Sequence, residues 1–151
     1  MAKLKAFAAQ IFAGIIYNKT HKWASNPVES QNEVFKNLIA SAKNTQFGTD
    51  HNFSSIEIYA DFIKNIPIRD YEDLKPYIKK VVNGEPDILW PGKPRYFAKT
   101  SGTTSGAKYI PLTKESMPFH IEAARNAILL YIHETRNATF VSGKMIFLQG
   151  S

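Results

Sequence analysis

The fold is decided at residues 95–112, RYFAKTSGTTSGAKYIPL, where two short apolar runs flank a loop rich in hydroxyl groups. The β-favouring residues of RYFAK and YIPL predict two strands, joined as a hairpin by the loop at 100–108. That loop holds five hydroxyl side chains, two glycines and one lysine. Such a composition suits either a solvated tight turn or a site built to hold an anion.

The loop contains every component of a phosphate-binding cradle. Gly102 and Gly106 can take positive φ and let backbone N–H groups converge on one ligand. Lys108 adds a compact positive charge on a flexible side chain. Hydroxyl donors come from Ser101, Thr103 and Thr104. These features fit a phosphate site, but a tight, exposed turn uses the same residue types, so both interpretations stay open at this point.

The spacing excludes the commonest loop of this kind. A Walker A loop has four residues between its glycines, a lysine directly after the second and a helix to follow. Here three residues separate Gly102 from Gly106, Ala107 precedes Lys108, and the strand-like YIPL comes next. The chain is therefore not a P-loop NTPase, and its loop is expected to fold over a ligand from a hairpin.

Composition and charge limit the class of protein. The 151 residues are 44% hydrophobic and suffice for one core, either as one domain or as part of a larger one. The absence of cysteine excludes disulfides and thiol nucleophiles. The net charge of +6 includes no basic run longer than Lys79-Lys80. Basic residues do surround the hairpin loop, at Lys93, Arg95, Lys99, Lys108 and Lys114. A local anion site is therefore favoured over a nucleic-acid-binding face.

The first 84 residues are predicted to be mostly helical, because apolar residues recur there at helical spacing. A first amphipathic helix has its apolar stripe at Leu4, Phe7, Ala8, Ile11 and Ile15. A second has its stripe at Phe35, Leu38, Ile39 and Ala42. Nothing approaches the eighteen or so apolar residues of a membrane span, so we expect a cytoplasmic protein with no membrane partner.

Two further helices are predicted from capping signals. Ser54 with Glu57 forms a capping-box pattern ahead of a short helix that reaches Asn65. Asp70 is the expected N-cap of the helix YEDLKPYIKKVV, which Gly84 ends.

Strands and one long helix are predicted for residues 85–151. The turn WPGK at 90–93 predicts a strand on either side of it, and the hairpin follows. Thr113 or Ser116 caps a helix that runs to about Glu134. Its inward candidates are Ala123, Ala127, Leu130 and Tyr131. A buried strand is expected in GKMIFLQGS at 143–151. The predicted class is α/β in a mixed α+β arrangement, and the chain is expected to be the front part of a larger protein.

TSGTTSGAK followed by YIPLT resembles the first nucleotide-binding motif of adenylate-forming enzymes, and more specifically that of the auxin-responsive promoter family of acyl acid amido synthetases. The similarity includes FGTDHNF at 47–53 and IPIRDYEDLKPYI at 66–78, and it extends from about Phe35 to Ser151. It implies the amino-terminal part of a ligase that uses ATP with Mg²⁺. Such a ligase adenylates a small carboxylic acid and transfers the acyl group to an amine such as an amino acid.

The resemblance implies that the loop grips the β and γ phosphates of ATP. The residues implied are Thr100, Ser101, Gly102, Thr103, Thr104, Gly106 and Lys108. Thr100 stands where many plant members have serine, and the stretch after Gly106 is one residue shorter than theirs, which leaves the acid and the amine open. The adenine and ribose contacts and a mobile carboxy-terminal domain would follow Ser151, so this chain alone is expected to be inactive.

Two other functions stay open at this point. A coenzyme A ligase of the same adenylating superfamily would share the loop, and a non-catalytic basic fragment would bind phosphate or nucleic acid weakly. His21, His51, His120 and His133 share no metal-ligand spacing and are interpreted as surface or structural residues. No catalytic residue, substrate contact or protein ligand for the metal is assigned.

Overall fold

The computed structural model describes residues 2–100 and 106–144. Those residues form six α helices and one two-stranded antiparallel sheet, which confirms the mixed α/β class. The helices are α1 (Ala2–Ala24), α2 (Pro27–Ala42), α3 (Gln46–Asp50), α4 (Tyr59–Asn65), α5 (Tyr71–Val82) and α6 (Met117–Thr135). The strands are β1 (Tyr96–Lys99) and β2 (Tyr109–Leu112), and short 3-10 turns lie at Phe53–Ser55 and Thr139–Ser142. The predicted last strand lies, from residue 145 onward, outside the described residues.

The chain forms two compact units. One consists of residues 1–27 together with 119–151, and the other of residues 28–118. The second unit contains α2 to α5 and both strands, so it also contains the predicted phosphate loop.

In the first unit, α1 is a helix as predicted, but it packs through the face opposite to its predicted stripe. Ala13 and Ile16 are buried against Leu129 and Ile132 of α6 and against Ala138. The predicted stripe is exposed throughout, at Leu4, Phe7, Ala8, Ile11 and Ile15. The helix is apolar on nearly every side, so its pattern could not indicate which side would pack.

The same correction applies to α6. Leu129 and Ile132 are the buried residues of this helix. Among the predicted inward residues, Leu130 is half-buried, and the exposed ones are Ala123, Ala127 and Tyr131. A run of apolar residues at consecutive positions offers several possible stripes, and only the packing partner selects one of them.

The second unit has its core between α2, α4 and the turn at Phe53–Ser55. The buried residues of this core are Ile39, Ala42, Phe53 and Ile56. Partly buried side chains packed around them are Phe35, Phe47, Phe62, Ile66 and Trp90. The predicted stripe of α2 is confirmed except at Leu38, which is 51% exposed.

The start of α3 is hydrogen-bonded to the segment that leads to the hairpin. The N–H groups of Gln46 and Phe47 donate to the carbonyls of Asp87 and Ile88 at 2.8 and 2.9 Å. Residues 87–88 therefore pair with a helix end, and the strand predicted before the WPGK turn is wrong. The chain bends at the WPGK sequence, where Gly92 has a φ of 76° and its N–H donates to the Asp87 carboxylate at 2.7 Å.

One predicted cap is wrong and the other is confirmed. The short helix α4 begins at Tyr59, and Asp61 accepts from the N–H groups of Glu57 and Ile58, both at 3.1 Å, so the Ser54–Glu57 box does not form. For α5, Asp70 accepts from the N–H of Asp73 at 3.0 Å.

The carboxyl end of α5 is also as predicted. Gly84 follows the helix with a φ of 85°. The N–H groups of Gly84 and Glu85 donate to the carbonyls of Val81 and Lys80, both at 3.0 Å, which is the Schellman arrangement. Pro76 lies inside the helix, which runs through it as a single element.

Candidate functional site at the hairpin loop

The predicted hairpin is confirmed. Strands β1 and β2 pair antiparallel, and the register ends with Lys99 opposite Tyr109. One residue further, the N–H of Thr100 donates to the carbonyl of Lys108 at 3.0 Å. The N–H of Lys108 in turn donates to the Thr100 hydroxyl at 3.3 Å. Both ends of the loop are thus joined by hydrogen bonds at one position.

The structure places three of the predicted phosphate-binding residues. Thr100 and Lys108 face each other across the stem of the loop and are half-buried. Gly106 is exposed and has a φ of 80°, a conformation that favours glycine. Among the described residues, a Cβ at Gly106 would find nothing within 4 Å. The remaining predicted residues lie outside the described residues: Ser101, Gly102, Thr103 and Thr104.

A tyrosine that the sequence did not point to contacts the end of the loop. The hydroxyl of Tyr71, the first residue of α5, accepts from the N–H of Tyr109 at 2.9 Å. The ammonium of Lys108 lies over the Tyr71 ring, 5.3 Å from its centroid. The sequence carries only an indirect signal for these contacts, namely the Asp70 cap that sets where α5 begins.

The charge of Lys108 is not paired with a carboxylate anywhere in the part of the chain that the structure describes. The ion pairs found there join Lys75 to Glu72 at 2.7 Å and Arg125 to Glu122 at 3.7 Å. The other basic residues predicted around the loop are all exposed: Lys93, Arg95, Lys99 and Lys114. Lys108 therefore ends the loop with an ammonium that has no carboxylate partner among the described residues, and such a group is suited to an anion with several oxygens.

The structural interpretation is confirmed for His51. This histidine is 5% exposed, its Nδ1 donates to the Phe47 carbonyl at 2.8 Å, and its Nε2 accepts from the Arg69 guanidinium at 3.1 Å. Next to it, burial and a 2.7 Å hydrogen bond to the Asp50 carboxylate raise the pKa of Tyr77 above its ordinary value. Both ring nitrogens of His51 and the hydroxyl of Tyr77 therefore have hydrogen-bond partners within the protein.

Neither a metal-binding cluster nor a membrane-spanning helix is found among residues 2–100 and 106–144. No three acidic or histidine side chains come together there as ligands for a metal ion. None of the helices described is both long enough and apolar enough to cross a membrane.

The family described as GH3 family N-terminal domain matches residues 16–149. The chain is 42% identical over 76 residues to indole-3-acetic acid-amido synthetase GH3.15 of Arabidopsis thaliana. That alignment covers 48% of this chain and 13% of that protein. It is 38% identical over 71 residues to 4-substituted benzoates-glutamate ligase GH3.12 of the same plant. That alignment covers 46% of this chain and 11% of that protein.

A longer match has lower identity. Jasmonoyl--L-amino acid synthetase JAR4 of Nicotiana attenuata is 26% identical over 124 residues, covering 80% of this chain and 21% of that protein. In each of these three alignments the chain spans about a fifth or less of the relative's length. No solved structure matches the chain.

Proposed function

The chain belongs to the GH3 family, and from that premise we propose that it is the amino-terminal part of an ATP-dependent acyl acid amido synthetase. Three relatives support the reaction class, because each name describes an enzyme that forms an amide or other conjugate of an organic acid, and two of the names include an amino acid as the partner. The proposed protein adenylates a carboxylic acid and transfers the acyl group to an amine such as an amino acid.

The proposed reaction has two steps. A carboxylate oxygen attacks the α-phosphorus of ATP, the bond to the bridging oxygen breaks, and pyrophosphate leaves with the electron pair. The amine nitrogen then attacks the acyl carbon, AMP leaves, and the nitrogen loses a proton to give the amide. A carboxylate is already ionised at neutral pH, so the first step depends mainly on positioning and on stabilising the phosphate charge.

We assign the stabilisation of the negative charge on the ATP phosphates to the hairpin loop. The observation that carries this assignment is Lys108 itself, which pairs with Thr100 where the loop closes and whose ammonium has no carboxylate partner among the described residues. The approach of phosphate oxygens to the Gly106 backbone is supported by the finding that no described residue lies within 4 Å of where a Cβ would be. Mg²⁺ would accompany ATP as its counter-ion. Ser101, Gly102, Thr103 and Thr104 are proposed to add the remaining donors.

The rest of the reaction is assigned to a longer protein. We propose that residues 1–151 form the front of a larger adenylating domain in the cytoplasm, and that the adenine, the acid and the amine are bound mainly by residues beyond this chain. The short coverage of the relatives supports this view, since each match spans only 11% to 21% of their length.

Titration of the 151-residue chain with ATP and with AMP tests the loop. Lys108→Ala should weaken ATP binding by about 10- to 100-fold, because a hydrogen bond to a charged group contributes roughly 1.5–3 kcal/mol. AMP binding should not change, because AMP lacks the β and γ phosphates. Lys64→Ala removes the same charge from an exposed position on α4 and is the matched control. Equal ATP affinities of the Lys108→Ala and Lys64→Ala variants would refute the assignment.

A further inference from the structure

Tyr71 has a position that is set by its own helix. It is the first residue of α5, directly after the N-cap Asp70. The reciprocal hydrogen bonds between Asp70 and Asp73 determine where the helix begins, and thereby the direction in which the Tyr71 side chain leaves it. The side chain is half-buried between α5 and the hairpin, which pack against each other.

The hydroxyl of Tyr71 binds the outer edge of the hairpin. Because Thr100 and Lys108 form a hydrogen-bonded pair, the next pair, Lys99 with Tyr109, is one whose N–H groups face away from the partner strand. The outward N–H of Tyr109 is the group that donates to Tyr71. This single bond therefore fixes the backbone of the residue that follows Lys108.

The ring of Tyr71 holds the ammonium of Lys108 without neutralising it. A cation over an aromatic face is attracted by the quadrupole of the ring, and the 5.3 Å separation lies within the range for this interaction. A carboxylate at the same place would cancel the positive charge and compete with phosphate. An aromatic ring instead leaves the charge and its N–H donors available to an anion.

We propose that Tyr71 is the positioning residue of the phosphate loop, a role that rests on the proposed function. Its hydroxyl fixes the backbone after Lys108, and its ring restricts the Lys108 ammonium to one position. The ammonium is thereby pre-positioned for the terminal phosphates of ATP, and less side-chain freedom is lost when the nucleotide binds.

The test is a double-mutant cycle between Tyr71→Leu and Lys108→Ala, with ATP binding to the 151-residue chain as the readout. Tyr71→Leu should weaken ATP binding by about two- to fivefold in the wild-type background. It should have no effect in the Lys108→Ala background, because the group it positions is then absent. Tyr71→Phe keeps the ring and should recover most of the lost affinity.

Tyr77→Leu is the matched control. Tyr77 lies on the same helix and its hydroxyl is also hydrogen-bonded, but it donates to the Asp50 carboxylate and not to a residue of the hairpin. This variant should lose stability while the effect of Lys108→Ala on ATP affinity stays the same. Unchanged or tighter ATP binding by Tyr71→Leu, or additivity with Lys108→Ala, would overturn the role of Tyr71 while leaving the loop assignment intact. If Lys108→Ala itself has no effect, the proposed function and the role of Tyr71 fail together.

A second measurement does not depend on ATP. In protein carrying ¹³C-labelled lysine, the ε-methylene protons of Lys108 should resonate upfield, because they adjoin the ammonium that lies over the Tyr71 ring. The upfield shift should persist in the Tyr71→Phe variant and disappear in a folded Tyr71→Leu variant. An unshifted Lys108 in the wild-type chain would refute the contact, even if the leucine variant failed to fold.

Discussion

Replacement of Thr45 by valine tests whether one hydroxyl holds the turn between α2 and α3. Thr45 is 1% exposed. Its hydroxyl donates to the Ala42 carbonyl at 2.7 Å and accepts from the N–H of Gly48 at 3.0 Å. Valine has nearly the same shape, so Thr45→Val removes these two hydrogen bonds and leaves the packing in place.

The expected cost follows from which groups lose a partner. The Ala42 carbonyl keeps the backbone N–H of Thr45 at 3.0 Å. The buried N–H of Gly48 donates to the Thr45 hydroxyl and to no other acceptor among the bonds described, so Thr45→Val leaves it without a partner. A buried unpaired N–H costs about 1–3 kcal/mol. A loss near 2 kcal/mol would lower Tm by about 4–8 °C for a chain of this size.

Urea unfolding followed by circular dichroism measures this loss, and Thr49→Val provides the control. The Thr49 hydroxyl also donates to a backbone carbonyl, that of Thr45 at 2.9 Å, but its side chain is exposed and water can replace it. The control should stay within about 0.5 kcal/mol of the wild-type chain. If Thr45→Val matches Thr49→Val, the orphaned Gly48 N–H is not costly and the reasoning is wrong.

Two further predictions concern a glycine and a carboxylate. Gly48→Ala should destabilise the chain by at least about 1–3 kcal/mol in urea unfolding, because a Cβ there would lie 2.2 Å from the Ala42 carbonyl oxygen. Gly14→Ala in α1, where a Cβ meets nothing within 4 Å, should instead stabilise it by about 0.5–1 kcal/mol, and the same sign for both would contradict the packing argument. The backbone N–H groups of Glu57 and Ile58 hold the pKa of Asp61 below its ordinary 3.8. The stabilisation of the fold by this carboxylate is therefore complete above pH 3.8, and it is lost as the pH falls through the lower pKa of the folded state. The stability difference between the wild-type chain and Asp61→Asn should therefore shrink in acid, and a difference that does not vary with pH would contradict it.

Local signals predicted the parts of this fold that depend on neighbours in the chain. Asp70 caps α5 through an N–H three residues away, and Gly84 ends it because glycine adopts positive φ without strain. The hairpin was predictable for the same reason, since its two strands are separated by a short loop. The short helix α4 shows where such signals compete, because Asp61 outcompeted the equally plausible Ser54 pattern.

Contacts between distant segments could not be predicted in this way. The pairing of Asp87 and Ile88 with the start of α3 has no signature in either segment. Tyr71 meets Tyr109 across 38 residues, and nothing in YEDLKPYI marks its ring as the support of a lysine. The sequence by itself determined that a glycine- and hydroxyl-rich hairpin loop ends in Lys108, because residue type and short-range spacing suffice for that. Only the tertiary structure decided which faces of α1 and α6 are buried and which side chain holds Lys108, because those choices depend on partners that are remote in the chain.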